Sequence, residues 1–203
     1  MSARDPDGTI WVKAAGRGLE EVGPDHVARM DLDGALLEGP PLHDEMALHT
    51  ELYRARPDVG AVVHTHAVDS VALTLFGGRL PVVSQDAVPL TGRTGFYDRA
   101  DLVTTPEQGR EVAARLGEGR AVLMRAHGLV TVGEDVPEAT VHAVLLERAA
   151  RLHRLASQLG EPGEMTAEDL SLLDARFEAN RRRRVETIWA YLTRRDASAA
   201  ARR

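Results

Sequence analysis

Residues 61–69 read Ala-Val-Val-His-Thr-His-Ala-Val-Asp, an apolar run that ends in two histidines one residue apart. The run Ala61–Val63 reads as a short buried strand. In extended chain, residues two apart point to the same side. His64 and His66 therefore present two imidazoles together, a spacing that suits two ligands of one divalent cation. The competing reading is a pair of partly buried histidines satisfied by backbone.

A third histidine, His127, sits between the apolar runs AVLM (121–124) and LVTV (129–132) and is followed by Gly128. Three histidines at strand ends would leave one coordination position open, as a catalytic rather than a structural metal requires. Gly128 would let backbone pass close to such a site. Glu45, near the start of a helix-like stretch, is the fourth candidate. Its carboxylate could serve as general base or ligand, or could stabilise its own helix N-terminus.

The rest of the chain supplies a scaffold. Its 203 residues are 43% hydrophobic and 28% charged, with net charge −6 and no cysteine. That length suits one domain over residues 1–203. Without cysteine, disulfides, thiolate nucleophiles and thiolate metal sites are excluded. The acidic balance argues against nucleic acid. The basic run Arg181–Arg184 reads as a solvated helix face or subunit contact. No apolar run reaches membrane-span length and no signal peptide is read, so a cytoplasmic protein acting on a small molecule is expected.

Strands are expected over Thr9–Lys13, His26–Leu32, Leu80–Val83 and Arg120–Arg125, the last interrupted at 126–128 and resumed over Leu129–Val132. Helices are expected over Asp44–Arg56, Val68–Phe76, from Thr105 to about Leu116, and from Asp135 to Leu159. One last helix, kinked, should run from Ala167 to about Arg194, with a frayed tail from Asp196 to Arg203. Asp86–Thr104 reads as a long loop. Strands and helices mix in one domain with short connections, which predicts an α/β fold with a largely antiparallel sheet.

Together the segments E-M-A-L-H (45–49), R-P-D-V-G-A-V-V-H-T-H-A (56–67) and A-H-G-L-V-T-V-G (126–133) resemble the class II aldolase/adducin family, from about Ser2 to about Leu159. The family includes sugar-phosphate aldolases and epimerases, a dehydratase, and decarboxylases of small hydroxy acids. The resemblance implies a three-layer α/β/α sandwich with a mostly antiparallel central sheet. It also implies metal ligands at His64, His66 and His127 and a catalytic carboxylate at Glu45. The expected ion is Zn2+, with Mn2+, Co2+ or Fe2+ as alternatives, and the expected assembly is a homotetramer.

The departures bear on substrate. Family members usually open with a helix and a glycine-asparagine-serine loop, neither of which is read here. His43 and Asp44 stand where phosphate-binding relatives carry two serines, and an aspartate would repel phosphate. Ala15-Gly16 replaces a threonine-glycine pair. Gln85 stands where the aldolases use a tyrosine, and glutamine cannot act as a general acid. Gly16, His43, Asp44 and Gln85 are thus the expected substrate-binding positions, and Tyr97 the replacement proton donor. Arg93 and Arg125 could pair a substrate carboxylate, and Trp189 and Tyr191 could reach the pocket.

The expected activity is carbon–carbon cleavage, by aldol cleavage or decarboxylation, of a small hydroxy or keto acid through a metal-stabilised enediolate. The alternatives are a sugar-phosphate aldolase or epimerase, an iron-dependent oxygenase on the same scaffold, or a non-catalytic interaction protein.

Overall fold

The structure, a computed structural model, describes residues 1–200. Strands β1 (Ser2–Arg4), β2 (Ile10–Lys13), β3 (Val27–Met30) and β4 (Leu36–Glu38) form an N-terminal meander. Helix α1 (Met46–Ala55), strand β5 (Ala61–Thr65) and helix α2 (Val68–Thr74) follow. Then come β6 (Thr94–Tyr97), α3 (Pro106–Leu116), β7 (Ala121–Met124) and β8 (Gly128–Gly133). Helices α4 (Val136–Ser157), α5 (Ala167–Ala179) and α6 (Arg181–Ala200) complete the order.

All eight strands join one sheet in the order β4-β3-β2-β1-β5-β8-β7-β6. Neighbours are antiparallel except β6 and β7, which are parallel. Alternation along the strands builds a core on each face. Val62, Val122, Met124, Val130 and Val132 meet Leu48 and Leu52 of α1 and Val112 and Leu116 of α3. Ala61, Val63, Leu123 and Leu129 face Leu73 of α2 and Leu145, Leu146 and Ala149 of α4, with Val185 of α6 beyond. The expected α/β/α sandwich is therefore present.

Several element expectations need correction. Leu80–Val83 is extended but joins no ladder. Val82 spends its N–H on the Glu164 carboxylate (3.0 Å) and its carbonyl on the Met165 N–H (2.9 Å). The stretch read as a loop contains the edge strand β6. Its Gly95 hides the signal and serves the packing, because a Cβ there would lie 2.0 Å from the Arg115 carbonyl oxygen at the end of α3. The chain does not resume its direction after His127. Residues 125–127 turn it back, and β7 and β8 form a hairpin. The final helix is two helices, broken at Asn180, and α6 continues to Ala200 where a frayed tail was expected. Residues 201–203 of that tail lie outside the described residues.

The arginine run is no free basic patch. Arg181 bonds Glu138 at 2.5 Å and also reaches Glu134, and Arg182 reaches Asp135 at 2.5 Å. Arg184 stacks over the Phe177 ring at 3.7 Å. No helix among the described residues is long and apolar enough to cross a membrane.

Candidate metal centre

β5 and the β7–β8 hairpin bring the histidines to one end of the sheet. His64 is opposite Val130 and Thr65 opposite Leu129, so the turn carrying His127 falls beside Thr65 and His66. The approach is tight. A Cβ on Gly128 would lie 2.4 Å from the Thr65 carbonyl oxygen and 3.1 Å from Cδ2 of His66. Ala126 adopts a φ of +51°, a left-handed conformation that costs a non-glycine residue about 1 kcal/mol. That turn aims His127 inward.

One ligand atom from each of Glu45, His64, His66 and His127 lies within 4.8 Å of the others. The three ring centroids are 4.8 to 5.0 Å apart. The Nε2 atoms of His64 and His66 are 3.2 Å apart. Glu45 Oε2 is 3.7 Å from His64 Nε2, and Oε1 is 3.4 Å from His127 Nε2. The side chains of His64 and His127 are only 8% and 6% exposed, whereas His66 is open to solvent. Access is therefore from the His66 side.

The donor atoms fit a divalent cation. A backbone carbonyl can only accept, so the 2.9 Å contact of His64 Nδ1 with the Leu129 oxygen puts the proton on Nδ1. Nε2 is left with a free lone pair directed at the other ligands. This is the outer-shell arrangement that orients metal-binding imidazoles. Both ring nitrogens of His127 are buried without a hydrogen-bond partner, a cost of about 1–3 kcal/mol for each unpaired group; a bound cation would offset that of Nε2. Burial, with the neighbouring His64 and His127, lowers the pKa of His66 and favours its neutral, ligating form.

Glu45 is the N-cap residue of α1, yet its side chain makes no cap bond. Its carboxylate is therefore not spent on the first-turn amides of α1. The carboxylate instead accepts the Val103 N–H at 3.0 Å and turns toward the histidines. Burial opposes its ionisation, but hydrogen bonds from His127 and His64, when these carry a proton on Nε2, and from the Val103 N–H outweigh burial and hold the carboxyl well below its usual range.

The other predicted residues are not all gathered here. His43 is half-buried just before Glu45, edge-on to the buried His49 ring at 5.8 Å, and burial pushes its pKa down to about 4. Asp44 is exposed beside it. The loop bearing Gly16 lies alongside, since the Ala15 N–H donates to the Pro41 carbonyl. Gln85 is exposed in a turn whose neighbours Ala87 and Val88 belong to the α4-side core, whereas His64 follows the opposite face of β5. Tyr97 is 2% exposed in the α1–α3 core, with Asp101, Arg99 and Glu111 as its charged surroundings. Burial first, then Asp101, pushes its phenol up to about 12.

Arg93 and Arg125 are committed to Asp174 and Asp98. Trp189 packs against the α4-side core, while Tyr191 is 54% exposed. The Val103 amide and Leu129 carbonyl, which hold Glu45 and His64, left no trace in the sequence because any residue supplies them.

The α/β/α sandwich thus presents, at one end of its sheet, three histidines and a glutamate that could hold a divalent cation. The chain matches the Class II Aldolase and Adducin N-terminal domain over residues 1–154, and it belongs to that family. It is 35% identical over 174 residues to Decarboxylase NovR of Streptomyces niveus, covering 83% of this chain and 64% of NovR. It is 34% identical over 172 residues to the 3,4-dihydroxyphthalate decarboxylase of Terrabacter sp. (strain DBF63), covering 82% of this chain and 70% of that enzyme. Among solved structures, an aldolase II superfamily protein from Pseudomonas syringae superimposes with a TM-score of 0.86 at 25% identity. That match covers 98% of this chain and 82% of the other. The chain spans 64% of the length of NovR and 63% to 66% of two further curated relatives.

Proposed function

We propose that this protein is a divalent-metal-dependent lyase that breaks a carbon–carbon bond in a small oxygenated acid, with decarboxylation as the favoured reaction. The carrying observation is the Glu45 carboxylate held among three imidazoles whose free nitrogens converge on it. His64, His66 and His127 would hold the ion. A divalent cation bound there supplies Lewis acidity toward the oxygens of a hydroxy or keto acid.

The chain's own residues do the rest. Glu45, whose carboxylate lies 3.4 Å from His127 and 3.7 Å from His64, would accept or return a proton at the reacting centre. The Val103 N–H fixes one carboxylate oxygen and leaves the other toward His64. Tyr97 keeps the proton-donor role in this reading, because burial, with Asp101 beside it, favours the protonated phenol.

Substrate choice follows from the polar groups beside Glu45. Gly16, His43 and Asp44 lie on adjoining segments and offer no pair of hydroxyls for phosphate, and Asp44 opposes it. The two decarboxylase relatives support a carboxylated, hydroxylated substrate over a sugar phosphate. Gln85, on the far side of the sheet, serves this reading as a residue offered to a neighbouring subunit of a homotetramer. Exposed Phe76 (87%) and Leu159 (93%) support burial between subunits. We assign Zn2+ as the resident ion and the cytoplasm as the compartment.

The test is metal analysis of protein purified without chelator, followed by parallel assays. Carbon dioxide release from dihydroxybenzoate-type acids, without oxygen consumption, is expected. Preferential cleavage of sugar phosphates would refute the substrate assignment. Iron content with oxygen consumption would make the protein an oxygenase.

A further inference from the structure

The seven-residue helix α2 connects the two ligand-bearing segments, since it begins just after His66 and ends beside the turn that carries His127. A helix this short does not hold itself together in water, and its N-cap residue, Ala67, has no side chain to cap with. Both ends are instead fastened by side chains outside the metal centre.

At the N-terminal end, Glu147 of α4 supplies the missing cap. Its Oε1 accepts the Asp69 N–H at 3.0 Å, and its Oε2 accepts the Ser70 N–H at 2.8 Å and the Ser70 hydroxyl at 2.7 Å. An anion is favoured there by the exposed helix amides. Arg154 of α4 adds a second tie to Asp69 at 2.5 Å. The chain therefore leaves His66 at a fixed position.

At the other end, the Thr74 hydroxyl donates to the Val71 carbonyl at 2.6 Å and accepts the Ala126 N–H at 3.0 Å. Ala126 is the left-handed residue immediately before His127. Thr74 is 1% exposed, so this bond is shielded from water. A buried hydroxyl has its acceptor and donor capacity matched here to a turn that the backbone would not adopt unaided.

We propose that Glu147 and Thr74 are positioning residues for the metal centre: through α2 they set the separation of His66 and His127, and hence the affinity for a divalent cation. Neither touches the ligands. Partners hydrogen-bonded to metal ligands govern metal affinity by about ten- to a hundredfold, and ties that fix the ligand-bearing backbone act on the same separation. The inference rests on the metal-centre reading given above.

The test is titration of the full chain with Co2+, followed by its visible absorption and by calorimetry. Glu147→Gln keeps the size of the side chain but turns an amide toward the helix N–H groups. Thr74→Val is nearly isosteric and removes the acceptor. Both should weaken Co2+ binding about ten- to a hundredfold and alter the absorption band, while Thr74→Ser, which keeps the hydroxyl, stays close to the native chain. Thr166→Val removes the N-cap of α5, a helix that carries none of the four candidate ligands and no tie to α2, and should lower Tm without moving Co2+ affinity or spectrum. If Glu147→Gln does not fold, Thr74→Val against Thr74→Ser decides the matter. Native affinity and an unchanged spectrum in both variants would overturn this inference alone. Failure of the native chain to bind Co2+ would overturn the metal centre as well.

Discussion

Glu45 Oε1 lies 3.4 Å from Nε2 of His127 and accepts the Val103 N–H at 3.0 Å. The carboxylate is thus fixed by backbone on one side and faces an imidazole with no other partner on the other. Glu45→Gln preserves the shape and an acceptor for Val103, but removes the negative charge and the proton-accepting group. The expected outcome is a folded protein, by circular dichroism, whose turnover falls by about 10²- to 10⁴-fold. Turnover within tenfold of the native chain would remove Glu45 from the mechanism.

Metal should stabilise the fold. A ligand that binds only the native state at a hundred times its Kd adds about 2.7 kcal/mol. Saturating Zn2+ should therefore raise the urea midpoint of the native chain, and EDTA should reverse the gain. In His127→Ala the gain should disappear, because one of the convergent nitrogens is gone. Equal gains in both proteins would place the ion elsewhere.

The hairpin turn gives a contrast between the two positions that flank His127. Gly128→Ala puts a Cβ against the Thr65 carbonyl oxygen and the His66 ring. It should cost about 1–3 kcal/mol as overpacking and weaken metal binding with it. Ala126→Gly should leave stability unchanged or raise it by up to about 1 kcal/mol, because glycine adopts a φ of +51° freely. Ala126→Val should destabilise, since a β-branched residue is a true outlier there. Urea unfolding of the three variants checks the order.

The pH dependence has a defined sign. Burial pushes His43 down to about 4 from its ordinary 6.5. Between those values the unfolded chain takes up a proton that the folded chain refuses. The stability present above pH 6.5 is therefore lost as pH falls toward 4. His49 and His66 are lowered for the same first reason, and act in the same direction. In metal-free protein the urea midpoint should decline across that window, and His43→Gln should flatten part of the decline. An equally steep decline in the variant would show that His43 does not contribute.

Much of the centre was legible because its chemistry sits in few residues. Histidines at 64, 66 and 127, each beside apolar β-type runs, signalled strand-borne ligands. Tertiary structure was needed where a signal is spread over backbone or over distant partners. Leu80–Val83 has the composition of a strand, but its N–H and C=O meet residues 164–165. Thr94–Tyr97 is short and broken by Gly95, which hides its strand signal, yet it closes the sheet edge because Gly95 lets α3 approach.

By itself the sequence determined which side chains could bind a cation, since residue type and strand spacing fix the donor atoms and the side of the chain they leave from. Only the folded chain decided that Glu45 would give up its helix cap, that the chain would reverse at 125–127, and that α2 would tie His66 to the His127 turn. Those outcomes depend on hydrogen bonds to Val103, Thr74 and Glu147, groups far off in the chain that no local pattern announces.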